Sequence, residues 1–158
     1  MDATRRRFVG SIAVVAAFGT LAARARAAEA FEVARTDEEW LAALGRNRFE
    51  VLRRSATERP YTSPLNDEHR NGLFHCAGCE LPLFSSAVKF ESGTGWPSFW
   101  EPLDGAIGTT VDRSYGMVRN GVHCRRCGGH LGHVFDDGPK PTGLRYCING
   151  LALAFVPA

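Results

Sequence analysis

Beyond residue 27 the chain lacks an excess of charge of either sign. Of 19 lysines and arginines and 17 aspartates and glutamates, residues 1–27 take five basic and one acidic, leaving 14 against 16 and a net of −2. That balance excludes a nucleic-acid binder that lives on phosphate contacts. No internal repeat or low-complexity tract is present, which excludes a stacked-repeat architecture. No apolar run is long enough to argue for a membrane span: the one at 8–23 is short and interrupted by Gly10, Ser11, Gly19 and Thr20. Cysteine is scarce, and its count is odd. Four of the five cysteines form two C-x-x-C pairs, and Cys147 stands alone.

The first residues read as an address. Arg5-Arg6-Arg7 precedes the apolar stretch, and Ala25-Arg26-Ala27 offers a small-x-small cleavage site. A membrane anchor is the alternative. The expectation is a twin-arginine signal peptide over 1–27, cleaved near Ala27, and a single domain over 28–158 delivered to the periplasm by the twin-arginine export machinery. That route carries folded proteins, so cysteines can load a metal in a reducing cytosol before meeting an oxidising compartment. About 130 residues suit one compact domain.

Thr36-Asp37-Glu38-Glu39 has the pattern of a capping box and predicts a helix to about residue 44, with a second short helix over 48–54. Pro60, Pro64 and Asn66 then break regular structure. From residue 73 short apolar or alternating runs follow at 73–75, 81–84, 106–111, 117–123, 131–135 and 151–156, separated by Gly, Pro, Asp and Asn. This predicts a mainly β, antiparallel domain.

Cys76-Ala77-Gly78-Cys79 and Cys124-Arg125-Arg126-Cys127 are separated by 44 residues. Two such pairs fit a tetrahedral four-cysteine zinc site that staples distant hairpins, with Gly78 and Gly128 supplying tight turns. Two disulfides, or a thioredoxin-like redox pair, are the alternatives, and the latter lacks its βαβ setting. A four-thiolate site is closed and leaves no open position for a substrate.

Cys147 lies in Arg145-Tyr146-Cys147-Ile148-Asn149. In an extended chain Arg145, Cys147 and Asn149 share one face. A guanidinium there favours the thiolate, and Asn149 can donate hydrogen bonds. A buried core cysteine is the plainer alternative. Upstream, His130, His133, Asp136 and Asp137 fall within eight residues, and Trp96 sits in the glycine-flanked loop Gly93-Thr94-Gly95-Trp96-Pro97. The histidines could serve a metal, a core or a surface. The tryptophan could be packing or the apolar wall of a small pocket.

Taken together these segments resemble the methionine-R-sulfoxide reductase B family. The resemblance runs from Glu50-Val51-Leu52-Arg53 and Thr57-Glu58-Arg59-Pro60 through the first cysteine pair, Leu83-Phe84-Ser85-Ser86 and the 89–99 loop to Arg145-Tyr146-Cys147-Ile148-Asn149. It implies two antiparallel sheets packed as a tent-like sandwich with short N-terminal helices. It implies one structural zinc per chain on Cys76, Cys79, Cys124 and Cys127, and Cys147 as nucleophile. It places His130, His133, Asp137, Arg145 and Asn149 in the catalytic group, and Trp96 and Phe135 against the substrate. The activity implied is reduction of the R epimer of methionine sulfoxide in peptides and proteins. The thiolate attacks sulfur, His133 or His130 protonates the oxygen with Asp137 as orienter or relay, and Cys147 becomes a sulfenic acid.

Many relatives carry a resolving cysteine where this chain has Thr94. The expected reductant is therefore an external thiol, such as a thioredoxin-like partner, acting on a monomer. The rival readings are a non-catalytic zinc module of the same fold that binds a protein partner, and a thiol–disulfide oxidoreductase using a C-x-x-C pair.

Overall fold

A computed structural model describes residues 31–158. The leader expected over 1–27 lies outside them. The described chain begins with α1 (Asp37–Arg54), followed by β1 (Gly72–Cys76), β2 (Pro82–Ser85), β3 (Lys89–Phe90), β4 (Ser98–Phe99), β5 (Ile107–Asp112), β6 (Arg119–Cys124), β7 (His130–Phe135), β8 (Arg145–Ile148) and β9 (Leu153–Pro157). Short 3-10 turns punctuate them, including Gly150–Ala152 between β8 and β9. The strand expected from residue 151 therefore starts two residues later.

The capping box forms as the sequence predicts. The Thr36 hydroxyl accepts from Glu39 N–H at 3.2 Å, and the Glu39 carboxylate accepts from Thr36 N–H at 2.8 Å. The two expected helices are continuous except at Gly45, whose backbone (φ 70°, ψ 165°) no other residue type adopts readily, so α1 kinks there. Trp40, Phe49, Val51 and Leu52 are its buried residues. The Arg35 and Arg53 guanidinium groups both lie over the Trp40 ring, 4.9 and 5.0 Å from its centre.

The strands form two sheets: a three-stranded one in the order β2-β1-β9 and a six-stranded one in the order β3-β4-β8-β7-β6-β5. Every pairing is antiparallel. Aromatic side chains join the two sheets. Phe74 of β1 meets Phe99 of β4 edge-on at 4.9 Å, and Phe84 of β2 stacks on Phe99 at 4.4 Å. Leu83, Leu131, Ile148 and Leu153 complete this core with no exposed surface beyond 1%. The fold is the expected pair of packed antiparallel sheets. Its consequence for chemistry is that β8 lies inside the larger sheet, between β4 and β7, where its backbone is held from both sides.

Candidate active site and metal centre

Cys147 occupies the middle of β8. It faces His133 across the β7–β8 ladder and Ser98 across the β4–β8 ladder. Alternation along the strands puts Arg145 and Cys147 on one side, as the sequence implies. The close approach of β7 depends on Gly132, where a Cβ would come 2.1 Å from the Cys147 carbonyl oxygen. Beside the thiol is a cavity of about 110 Å³, lined by Trp96, Phe135, Thr57, Arg119, Gly132, His133, Cys147 and Asn149. That is well under the several hundred cubic ångströms of a pocket for a whole drug-sized molecule, and it suits the end of one side chain.

Burial pushes the Cys147 thiol above its usual range. The Thr94 hydroxyl and the Arg145 guanidinium act in the opposite direction. Thr94 Oγ1 stands 3.8 Å from Cys147 Sγ. Arg145 does not reach toward the thiol alone. Its Nε and Nη2 bond both oxygens of Asp137 at 2.8 Å, and its guanidinium lies 4.4 Å over the Phe135 ring.

The two histidines separate in environment. His133 lines the cavity with Cys147. His130 does not, and burial, aided by the neighbouring His133, pushes it down to about 4, so it is neutral at neutral pH. Their rings meet edge-on at 5.4 Å.

The four remaining cysteines converge far along the chain from Cys147. Their Sγ atoms all lie within 4.8 Å of one another. Cys76 and Cys127 are 3.7 Å apart, and Cys79 and Cys124 are 3.5 Å apart. A disulfide needs about 2.05 Å. Tetrahedral zinc, with sulfur at about 2.3 Å, needs sulfurs about 3.8 Å apart. The quartet thus fits a four-thiolate zinc, and these residues form the structural metal centre.

Both cysteine pairs sit in matched turns. Glu80 N–H donates to Cys76 C=O at 2.8 Å and Cys76 N–H to Leu81 C=O at 2.8 Å. Gly128 N–H donates to Cys124 C=O and Cys124 N–H to Gly129 C=O, both at 2.9 Å. The sequence assigns the first turn to Gly78, but the left-handed residue there is Glu80 (φ 61°), the counterpart of Gly128 (φ 68°). Gly78 instead brings its N–H to Cys76 Sγ at 3.4 Å. One pair belongs to the small sheet and the other to the large one, so the metal joins the sheets at a second place.

A family model described as the SelR domain matches residues 44–157. The chain is 54% identical over 127 residues to a peptide methionine sulfoxide reductase MsrB of Methylibium petroleiphilum, covering 80% of this chain and 92% of that one. It is 53% identical to a protein of the same name from Pseudomonas putida (80% and 96% covered) and 49% identical to one from Agrobacterium fabrum (80% and 94% covered). The chain belongs to the methionine-R-sulfoxide reductase B family.

Not every residue that the family resemblance singles out stands where the expectation put it. Trp96, Phe135, His133, Cys147 and Asn149 surround one cavity, whereas His130 meets His133 edge-on and the exposed Asp137 pairs with the half-buried Arg145. The carboxylate bonded to His133 is Asp112, at 2.7 Å from Nε2, and not Asp137. Asn149 is buried and lines the cavity. Nδ2 donates to Leu131 C=O at 3.0 Å, and Oδ1 accepts from Glu58 N–H at 3.0 Å. These two bonds hold the wall and leave the second N–H of Nδ2 as a donor.

Glu58 was not singled out by the residue-type argument. Its carboxylate accepts from Gly150 and Leu151 N–H, and its carbonyl from Trp96 Nε1 at 3.1 Å. It ties two walls of the cavity together. Its only signal in the sequence is its place in the Thr57-Glu58-Arg59-Pro60 segment.

Proposed function

We propose that this chain reduces the R epimer of methionine sulfoxide in peptides and proteins, with Cys147 as nucleophile and His133 as acid. The observation that carries this reading is the small cavity where one thiol, one histidine and two aromatic rings meet. Trp96 and Phe135 pack against the methyl and methylene groups of the oxidised side chain, since sulfur and methyl both sit well on aromatic faces. The Cys147 thiolate attacks the sulfoxide sulfur. A proton passes from His133 to the oxygen, which then leaves sulfur and is retained on Cys147. The products are methionine and the Cys147 sulfenic acid.

An external thiol closes the cycle. It displaces water from the sulfenic acid to give a mixed disulfide, and a second thiol releases Cys147. The other cysteines serve the metal, and no thiol stands at Thr94, so a thioredoxin-like partner or another dithiol supplies both electrons. Zinc, when bound, supplies structural cross-linking, and its four thiolates leave no position for substrate. The working unit of this reading is a monomer. The Arg5-Arg6-Arg7 cluster supports export by the twin-arginine route to the periplasm.

Turnover of the separated sulfoxide epimers with a dithiol tests the activity. The expected result is methionine from the R epimer only, and none from Cys147→Ser, which keeps its zinc. Methionine from the Cys147→Ser protein would refute the assignment of nucleophile. Export is tested by replacing Arg5 and Arg6 with lysine, which is expected to keep the precursor in the cytoplasm. Undiminished export would exclude the twin-arginine route.

A further inference from the structure

Asp112 and Arg119 are register partners on the β5–β6 hairpin. His133 reaches them across β6. The register runs from Thr110 to Gly121 to His133 to Cys147 over four adjacent strands, so the histidine and the nucleophile share a face. Gly121 has no side chain to fill the space between. His133 Nε2 bonds Asp112 Oδ2 at 2.7 Å, and Arg119 Nη2 bonds the same oxygen at 2.9 Å. The other oxygen of Asp112 accepts from Ser114 N–H at 2.8 Å. Arg119 in turn lines the Cys147 cavity together with His133. A carboxylate held by one guanidinium, one backbone N–H and one imidazole is fully engaged and fixed in place.

We infer that Asp112, clamped by Arg119, is the positioning carboxylate for His133 in sulfoxide reduction. The inference rests on His133 being the acid. Asp112 accepts the proton-bearing Nε2, which leaves Nδ1 as the nitrogen that hands its proton to the sulfoxide oxygen. When both nitrogens carry protons the carboxylate lies against the positive ring. After transfer the neutral ring keeps its Nε2 proton on Asp112 and its orientation. Asp112 is not itself protonated in the step. The Ser114 hydrogen bonds, with those of His133 and the charge of Arg119, hold its carboxyl well below the usual carboxylate range. The charged and titratable groups around His133 are thus Asp112, Arg119, His130 and Cys147.

A double-mutant cycle in the full-length zinc-loaded protein separates this role from a structural one. The substrate is a short peptide containing one R-methionine sulfoxide, in a single turnover without reductant. The variants are Asp112→Asn, His133→Gln and the pair together. Asparagine keeps the acceptor for Ser114 N–H, so the turn is retained. Asp112→Asn is expected to slow methionine formation by about ten- to a hundredfold, part of what a general acid contributes. The rate of Cys147 alkylation by iodoacetamide and the zinc content are expected to stay unchanged. His133→Gln is expected to be at least as slow, and the double variant no slower than His133→Gln alone.

Asp112→Glu, which keeps the charge, is expected to recover most of the rate and covers the case of an asparagine variant that fails to fold. Full-rate Asp112→Asn beside a slow His133→Gln would overturn the inference and leave the acid assignment standing. Additive losses in the double variant would also overturn it, because Asp112 would then act other than through His133. A full-rate His133→Gln would overturn the acid assignment itself and the inference with it.

Discussion

Thr94→Cys converts this enzyme to one that resolves its own sulfenic acid. Thr94 Oγ1 lies 3.8 Å from Cys147 Sγ. A thiol at 94 therefore needs to close by somewhat less than 2 Å to reach the disulfide distance of about 2.05 Å. The Thr94 hydroxyl bonds Ser92 Oγ at 2.8 Å and faces Cys147 Sγ, while the carbonyls of Gly93 and Gly95 on either side are held by Tyr61 and Asn66. The approach therefore falls to the side chain at 94 and its own backbone. In a single turnover without reductant, the parent protein is expected to lose one titratable thiol per methionine formed and to yield a sulfenic acid that a carbon nucleophile traps.

The variant is expected to lose two thiols and trap little. Its new cross-link joins residues 53 positions apart. By loop-closure entropy this removes about 4 kcal/mol from the unfolded state at 25 °C. The oxidised variant is then expected to melt about 10 °C or more above its reduced form. Zinc content is expected to stay at one per chain throughout. Zinc release in the parent protein with a disulfide to Cys147 would refute the reasoning, since a metal ligand would then be the resolving thiol.

Three further outcomes follow from the same structure. Cys79→Ser and Cys124→Ser are each expected to lose the metal and the cooperative unfolding transition, because metal binding at such a site is folding free energy; a stable, active, metal-free variant by elemental analysis and calorimetry would contradict this. Arg145→Met is expected to move the midpoint of Cys147 alkylation to higher pH, since the guanidinium pulls the thiol down against burial; an unmoved midpoint would remove Arg145 from thiolate activation. His130 is held near 4, below its unfolded value of about 6.5, so the unfolded chain binds its proton first. Its contribution is complete above about pH 6.5 and is lost as the pH falls toward 4, at most about 3 kcal/mol, and His130→Asn is expected to flatten denaturant-derived stability across that window.

The parts of this molecule that are legible in the sequence are those whose signal is local. The capping box needs only Thr36 and Glu39. The zinc quartet needs two pairs, each of which builds its own turn. The longer strands announce themselves by alternation. What escapes is set by register between distant segments. The β3 and β4 strands are two residues each and have no period to detect, yet β4 is one of the two strands that hold β8. Asp137 is four residues from His133 and looks like its partner, but the Arg145 fork lies opposite and takes both its oxygens. Asp112, 21 residues upstream, reaches the ring because β6 carries a glycine between them. Glu80 takes a left-handed backbone that favours glycine, so attention to Gly78 misplaces the turn.

The pairing of β1 with β9 sets the order in which this protein can become itself during synthesis. Gly72↔Pro157 through Cys76↔Leu153 are register partners, and Ala77 N–H donates to Ala152 C=O at 2.9 Å. Until the ribosome has passed residue 157, β1 has only β2 beside it, a two-stranded ribbon that is marginal alone in water. Cys76 then has no strand on its far side, and the first zinc turn hangs from half a sheet. The emerging chain therefore carries Cys76 and Cys79 before the small sheet that seats them is complete. The small sheet closes only when the distant strand arrives.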